Sequence, residues 1–80
     1  MADHKDVEAT KILRREFNKR QVDITLADLR VSHGVAYIRG TIKPMRGMEG
    51  DVRSVVDTIA RSLRTKPEIR DVVIDAVFRS

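Results

Sequence analysis

Cysteine is absent from this chain, and so is tryptophan. Without thiols there is no disulfide framework, no thiolate metal site and no cysteine nucleophile, so a small chain must be stabilised by its apolar core. Aromatic residues are scarce, one tyrosine and two phenylalanines, which is thin material for a base-stacking platform. Two prolines and four glycines are too few for a low-complexity chain. Long apolar runs are missing as well. The longest spans four residues, Val35–Ile38, which excludes a transmembrane helix, and no apolar signal segment follows Met1. As written, the chain is expected to be cytoplasmic, and periplasmic only if a signal has been removed.

The residues that are present suit one small globule. The 80 residues are 41% hydrophobic and 35% charged, and a chain this short buries only about 60–65% of its unfolded surface, so a single domain over residues 1–80 is expected. The net charge is +4, with eight Lys/Arg and six Asp/Glu in each half. One local excess stands out. Between Lys11 and Arg20, the residues Lys11, Arg14, Arg15, Lys19 and Arg20 face only Glu16. The cluster reads either as basic residues that close a helix opened by Asp3, Asp6 and Glu8, complementing its dipole, or as a patch for an anionic partner.

The hydrophobic period names the elements. Ala9, Ile12, Leu13 and Phe17 recur every three or four residues, predicting an amphipathic helix over 4–20 with Asp3 as N-cap and Asp6 as an imperfect capping-box partner. Val22, Ile24 and Leu26 alternate, predicting an extended connection into the sheet. Ala27, Leu29 and Val31 alternate with Asp28, Arg30 and Ser32, and the pattern resumes from Val35 to Ile42 after His33-Gly34. Histidine tolerates positive φ better than most residues and glycine adopts it freely, so Ser32-His33-Gly34-Val35 reads as a two-residue hairpin turn. That register sets Ala27 against Gly40, Leu29 against Ile38 and Val31 against Ala36. Gly40 weakens a strand unless something comes close, and a helix or Phe17 is expected over it. A loop follows from Lys43 to Gly50, then a helix from Asp51 to Leu63 on the stripe Val52, Val55, Val56, Ile59 and Leu63, with Pro67 as its stop. Val72, Ile74, Ala76 and Phe78 alternate in a last strand. The expected fold is α+β, a two-layer αββαβ sandwich with two helices on one face of a three-stranded mixed sheet, strand order 1-2-3.

This layout resembles the BON domain, a small bacterial module found in an osmotically inducible periplasmic protein and in nodulation proteins. The resemblance rests on the helix Asp6–Arg20, the hairpin Leu29–Ile42 with Gly34 at its turn and Gly40 in its second strand, the helix Asp51–Leu63 and the ending Ile69–Phe78. Lys66-Pro67-Glu68-Ile69 departs from the glycine-valine pair that commonly precedes the last strand. Gly34 and Gly40 are structural signatures. The resemblance implies a non-enzymatic module that binds anionic phospholipid surfaces or a protein partner, with no cofactor.

Candidates for chemistry are few. His4 and His33 are the two histidines, without metal-ligand spacing, and Asp71 and Asp75 stand about 13 Å apart along one strand face, too far to share a metal or a proton. No catalytic, cofactor-binding or metal-ligating residue is assigned. Gly47-Met48-Glu49-Gly50 spells the GxxG of a KH domain, but a strand and Pro44 precede it where a helix belongs, and Glu49 places a negative charge where phosphate would sit. Binding surfaces carry more information. Lys11, Arg14, Arg15, Lys19 and Arg20 form the candidate anionic-surface site. Arg30, Tyr37, Arg39, Val73, Val77 and Arg79 face away from the helices and form a candidate interaction face, for a partner, for a second copy, or for nucleic acid as the less favoured alternative. In isolation, Arg30 is expected to lie on Tyr37 and Asp28 to pair with Arg39.

Overall fold

A capped, amphipathic stripe gives the helix before the last strand. Asp51 sits in extended conformation and its carboxylate accepts the Arg53 N–H at 3.2 Å, starting that helix at Val52. The computed structural model of the protein describes residues 4–47 and 50–79. The expected cap Asp3 lies outside the described residues, as do Met48 and Glu49 of the GxxG stretch. In chain order the elements are α1 (His4–Asn18), β1 (Val22–Asp23), β2 (Ala27–Ser32), β3 (Val35–Pro44), α2 (Val52–Arg64) and β4 (Asp71–Phe78). The architecture is α+β, two helices and four strands in the order αβββαβ.

The hairpin forms as its sequence requires. His33 has φ 52° and Gly34 φ 80°, the paired positive values of a tight turn whose twist matches the strands. The register is the expected one, with Ala27 opposite Gly40, Leu29 opposite Ile38 and Val31 opposite Ala36. β4 lies parallel to β3 on the other side, Ala36 opposite Val72 and Ile38 opposite Ile74. β3 is therefore central, and α2 supplies the crossover to β4.

Three expectations are corrected. The sheet has four strands, not three, because Val22 and Asp23 pair with Pro44 and Lys43 at the far end of β3. Lys43 and Pro44 accordingly belong to a strand rather than to the loop, with Met45 N–H bonded to Gln21 O at 2.9 Å just beyond. β1 and β2 are one bent edge: three residues, Ile24–Leu26, span the interval that Thr41 and Ile42 span in β3, so the edge bulges by one residue. Gly40 lies at that bulge. Its φ is +88°, and a Cβ built on it would come within 2.5 Å of the Leu26 carbonyl oxygen and 3.0 Å of the Ala27 Cα. The close neighbour is the backbone of the edge strand, neither a helix nor Phe17.

The core lies between the helices and one face of the sheet. Leu13, Phe17, Ile38, Ile42, Ile59 and Leu63 are wholly buried, each contributing about 1.5–3 kcal/mol relative to exposure. α1 packs mainly on β2 and α2 on β4, and the two helices touch each other. Among the described residues no helix covers the opposite face of the sheet, and that face and the outer side of α1 are both open to solvent.

Candidate functional site

The outer side of α1 is built by helical spacing. Asp6, Ala9, Leu13, Glu16 and Phe17 are buried, so Val7, Lys11, Arg14 and Arg15, at intervals of three and four, turn to solvent together. Lys11 stands 3.7 Å from Glu8 in an exposed pair, an arrangement worth little in water. Among the described residues Arg14 and Arg15 make no ion pair, and their charge is fully available. Val7, 42% exposed in this basic stripe, escaped the sequence reading. Its signal was an apolar residue off the core stripe, four positions before Lys11.

Two members of the expected cluster separate from it. Helix α1 ends at Asn18, so Lys19 and Arg20 follow in a turn. Lys19 reaches Glu16 at 3.9 Å, and Lys66 approaches the same carboxylate at 3.7 Å. Glu16 is buried and takes both cations. Arg20 lines a shallow groove with Gly50, Asp51 and Ser54 at the start of α2, so it does not share the face of Arg14 and Arg15. The cause is the helix end: past Asn18 the rotation that aligned the basic residues stops.

On the open sheet face the register sets cross-strand rows. Arg30, Tyr37 and Val73 form one row, and Asp28, Arg39 and Asp75 the next. The expected pairing is inverted. Arg39 lies over the Tyr37 ring, 4.8 Å from its centre, and Arg30 Nε donates to Asp28 at 3.0 Å. Each arginine takes its partner two positions along its own strand, where same-face side chains are about 6.6 Å apart and within its reach. Val73 and Val77 are 38% and 58% exposed. Arg79 follows β4, exposed, with its backbone N–H on Ile42 O at 2.9 Å.

The hairpin turn is tied to distant parts of the chain. The two carboxylate oxygens of Asp6 accept the backbone N–H groups of His33 at 3.0 Å and Gly34 at 3.1 Å. Arg70 N–H donates to Gly34 O at 2.7 Å and Arg70 Nη1 to His33 O at 3.5 Å. Asp6 is thus a turn anchor rather than a capping-box partner. His33 is exposed at this turn, and among the described residues no group of three His, Asp or Glu is placed to hold a metal ion. Asp23 is held below the ordinary carboxylate value by the Thr25 hydroxyl, then by the Thr25 N–H at 2.9 Å, with Lys43 adding to the effect. That arrangement shapes the bulge between β1 and β2.

Comparison of the chain with family models, with curated proteins and with solved structures finds no match. No helix among the described residues is long and apolar enough to cross a membrane.

Proposed function

We propose that this protein is a non-enzymatic binding module that docks reversibly on anionic phospholipid surfaces through the outer side of α1. The observation that carries this reading is the convergence of Lys11, Arg14 and Arg15 on one solvent face, with the two arginines unpaired among the described residues. Each basic residue held near an anionic bilayer contributes about 1 kcal/mol, which sums to weak, salt-sensitive attachment. Val7 in the same stripe adds an apolar side chain that can enter the headgroup region. The layout's resemblance to BON modules, with Gly34 in the turn and Gly40 in the second strand, points the same way. Sheet-face RNA binding has less behind it, since the Arg39 guanidinium covers the Tyr37 ring that a base would stack on.

The test is co-sedimentation with liposomes. Vesicles containing anionic lipid bind the protein at low salt and release most of it near physiological salt, and zwitterionic vesicles leave it in solution. The double substitution Arg14→Glu, Arg15→Glu lowers anionic-vesicle binding by about tenfold or more. Equal binding to both vesicle types, or binding unchanged in that variant, removes this reading.

A further inference from the structure

We propose that two copies of this chain join through the free edge of β4, running antiparallel, so that two four-stranded sheets become one. The two edges of the sheet differ. The β1–β2 edge is broken by the bulge at Ile24–Leu26, a device that discourages edge pairing. β4 runs for eight residues, Asp71–Phe78, in unbroken register with β3 and contains neither proline nor lysine. It is the longer and straighter edge, with Asp75 as its one central charge.

The backbone of β4 is presented for pairing. Arg79 N–H bonds to Ile42 O at 2.9 Å, so by strand alternation the odd-numbered residues of β4 aim their backbone groups at β3, and Ile74 and Ala76 aim theirs outward. Asp71 covers the outward Val72 N–H with its own carboxylate at 2.8 Å, which marks where pairing stops. A two-fold axis at Asp75 sets Ile74 against Ala76 of the second copy, each such pair exchanging both backbone bonds.

Side chains select that register. It places Val73 opposite Val77 of the second copy, covering the two exposed apolar residues of the strand, and Asp71, which stands 3.9 Å from Arg64 of its own chain, opposite the exposed Arg79 on both sides of the axis. Moving the axis to Ile74 or Ala76 sets Val73 against Asp75 or Arg79 and loses the apolar pair. The cost of the favoured register is one like-charge contact, Asp75 with its own symmetry mate, and each Asp75 has Arg39 beside it on β3. The assembly makes no use of lipid and stands apart from the membrane reading.

Sedimentation in lipid-free buffer tests it. The parent forms concentration-dependent dimers, and Asp75→Asn tightens them a few-fold. Val73→Lys and Val77→Asp, both at exposed positions, each weaken the dimer at least about tenfold. Mixed in equal amounts these two variants recover a heterodimer, because the introduced cation faces the introduced anion on one side of the axis and the native valines meet on the other. Ala76→Pro removes an outward N–H, leaves the β3 ladder intact, and gives a folded monomer. A parent that stays monomeric at every concentration overturns the proposal. So does a dimer that survives Ala76→Pro, or a mixture that recovers nothing; either result assigns contact to another surface, and loss of the dimer in Tyr37→Ala with Ala76→Pro neutral would place it on the open sheet face.

Discussion

The β2–β3 hairpin is held differently at its two ends. At the turn, positive φ at His33 and Gly34 is supported from far along the chain: the Asp6 carboxylate, 27 residues before His33, receives the turn's N–H groups, and Arg70 serves its carbonyls with its backbone N–H and its guanidinium. At the other end, the bulge by Gly40 is held by neighbouring backbone, with the Leu26 carbonyl accepting the Thr41 N–H at 3.0 Å. The first end tolerates an added carbon because what it would meet is the flexible Arg70 side chain. The second does not, because both partners are main chain. Glycine is required at both, for unequal reasons.

The sharpest way to break this contrast is to add one carbon at each glycine. Gly40→Ala combines left-handed φ with a contact that only backbone movement relieves, and costs about 3 kcal/mol or more. Urea denaturation of the variant measures it. The loss belongs to the edge strand and not to a helix, so it persists in a variant whose Phe17 is trimmed to leucine. A Gly40→Ala protein as stable as the parent would contradict the bulge geometry.

Next in size is the long-range anchor. Asp6→Ala leaves two backbone N–H groups of the turn without their acceptors, a loss of about 1–3 kcal/mol, and Asp6→Asn falls between because its amide keeps one acceptor oxygen. Amide hydrogen exchange at His33 and Gly34 rises in both variants. Unchanged protection there would mean that the turn holds itself.

Gly34→Ala comes third. An added Cβ meets the Arg70 Cγ and Cδ at 2.9 Å, but that side chain can swing aside, so the cost reduces to the left-handed backbone, about 1–2 kcal/mol. The ratio between the Gly40 and Gly34 losses is the quantity to watch. If the two are equal, the difference between backbone and side-chain neighbours carries no energy.

The smallest effect is pH-dependent and sits on the bulge side. Asp23 is held below the ordinary value of 3.8 by Thr25, so its bonds add stability above that value and the contribution disappears as pH falls through the lowered one. A carboxyl NMR titration shows the Asp23 midpoint below the ordinary value in the parent and shifted upward in Thr25→Val. Coincident midpoints would mean that Thr25 does not hold the Asp23 carboxylate.

Much of this is legible in the sequence. The hairpin register followed from period-two alternation on both sides of His33-Gly34, and α2 from a stripe bounded by Asp51 and Pro67. The bulge was legible too, in a signal easily passed over: apolar residues occupy even positions at Val22, Ile24 and Leu26 and odd positions from Ala27 to Val31, and a change of phase requires an extra residue in the edge. Asp6 had a similar mark, a carboxylate on the apolar stripe of Ala9, Leu13 and Phe17. The candidate surface was read less well. Lys11, Arg14 and Arg15 share a face, but Lys19 and Arg20 follow the helix in a turn, because only the position of the helix end decides which basic residues remain aligned.

Local periodicity and backbone preference thus determined the elements, the turn and the buried face, since each depends on residues a few positions apart and on forces that act within one strand or helix. The partner of the turn, the neighbour of Gly40, the choice of Tyr37 by Arg39 and the open edge of β4 were decided only in the tertiary structure. Each of these pairs groups that the chain brings together from distant segments or from alternatives of similar reach, and there the winner is set by distance and by what else is already paired.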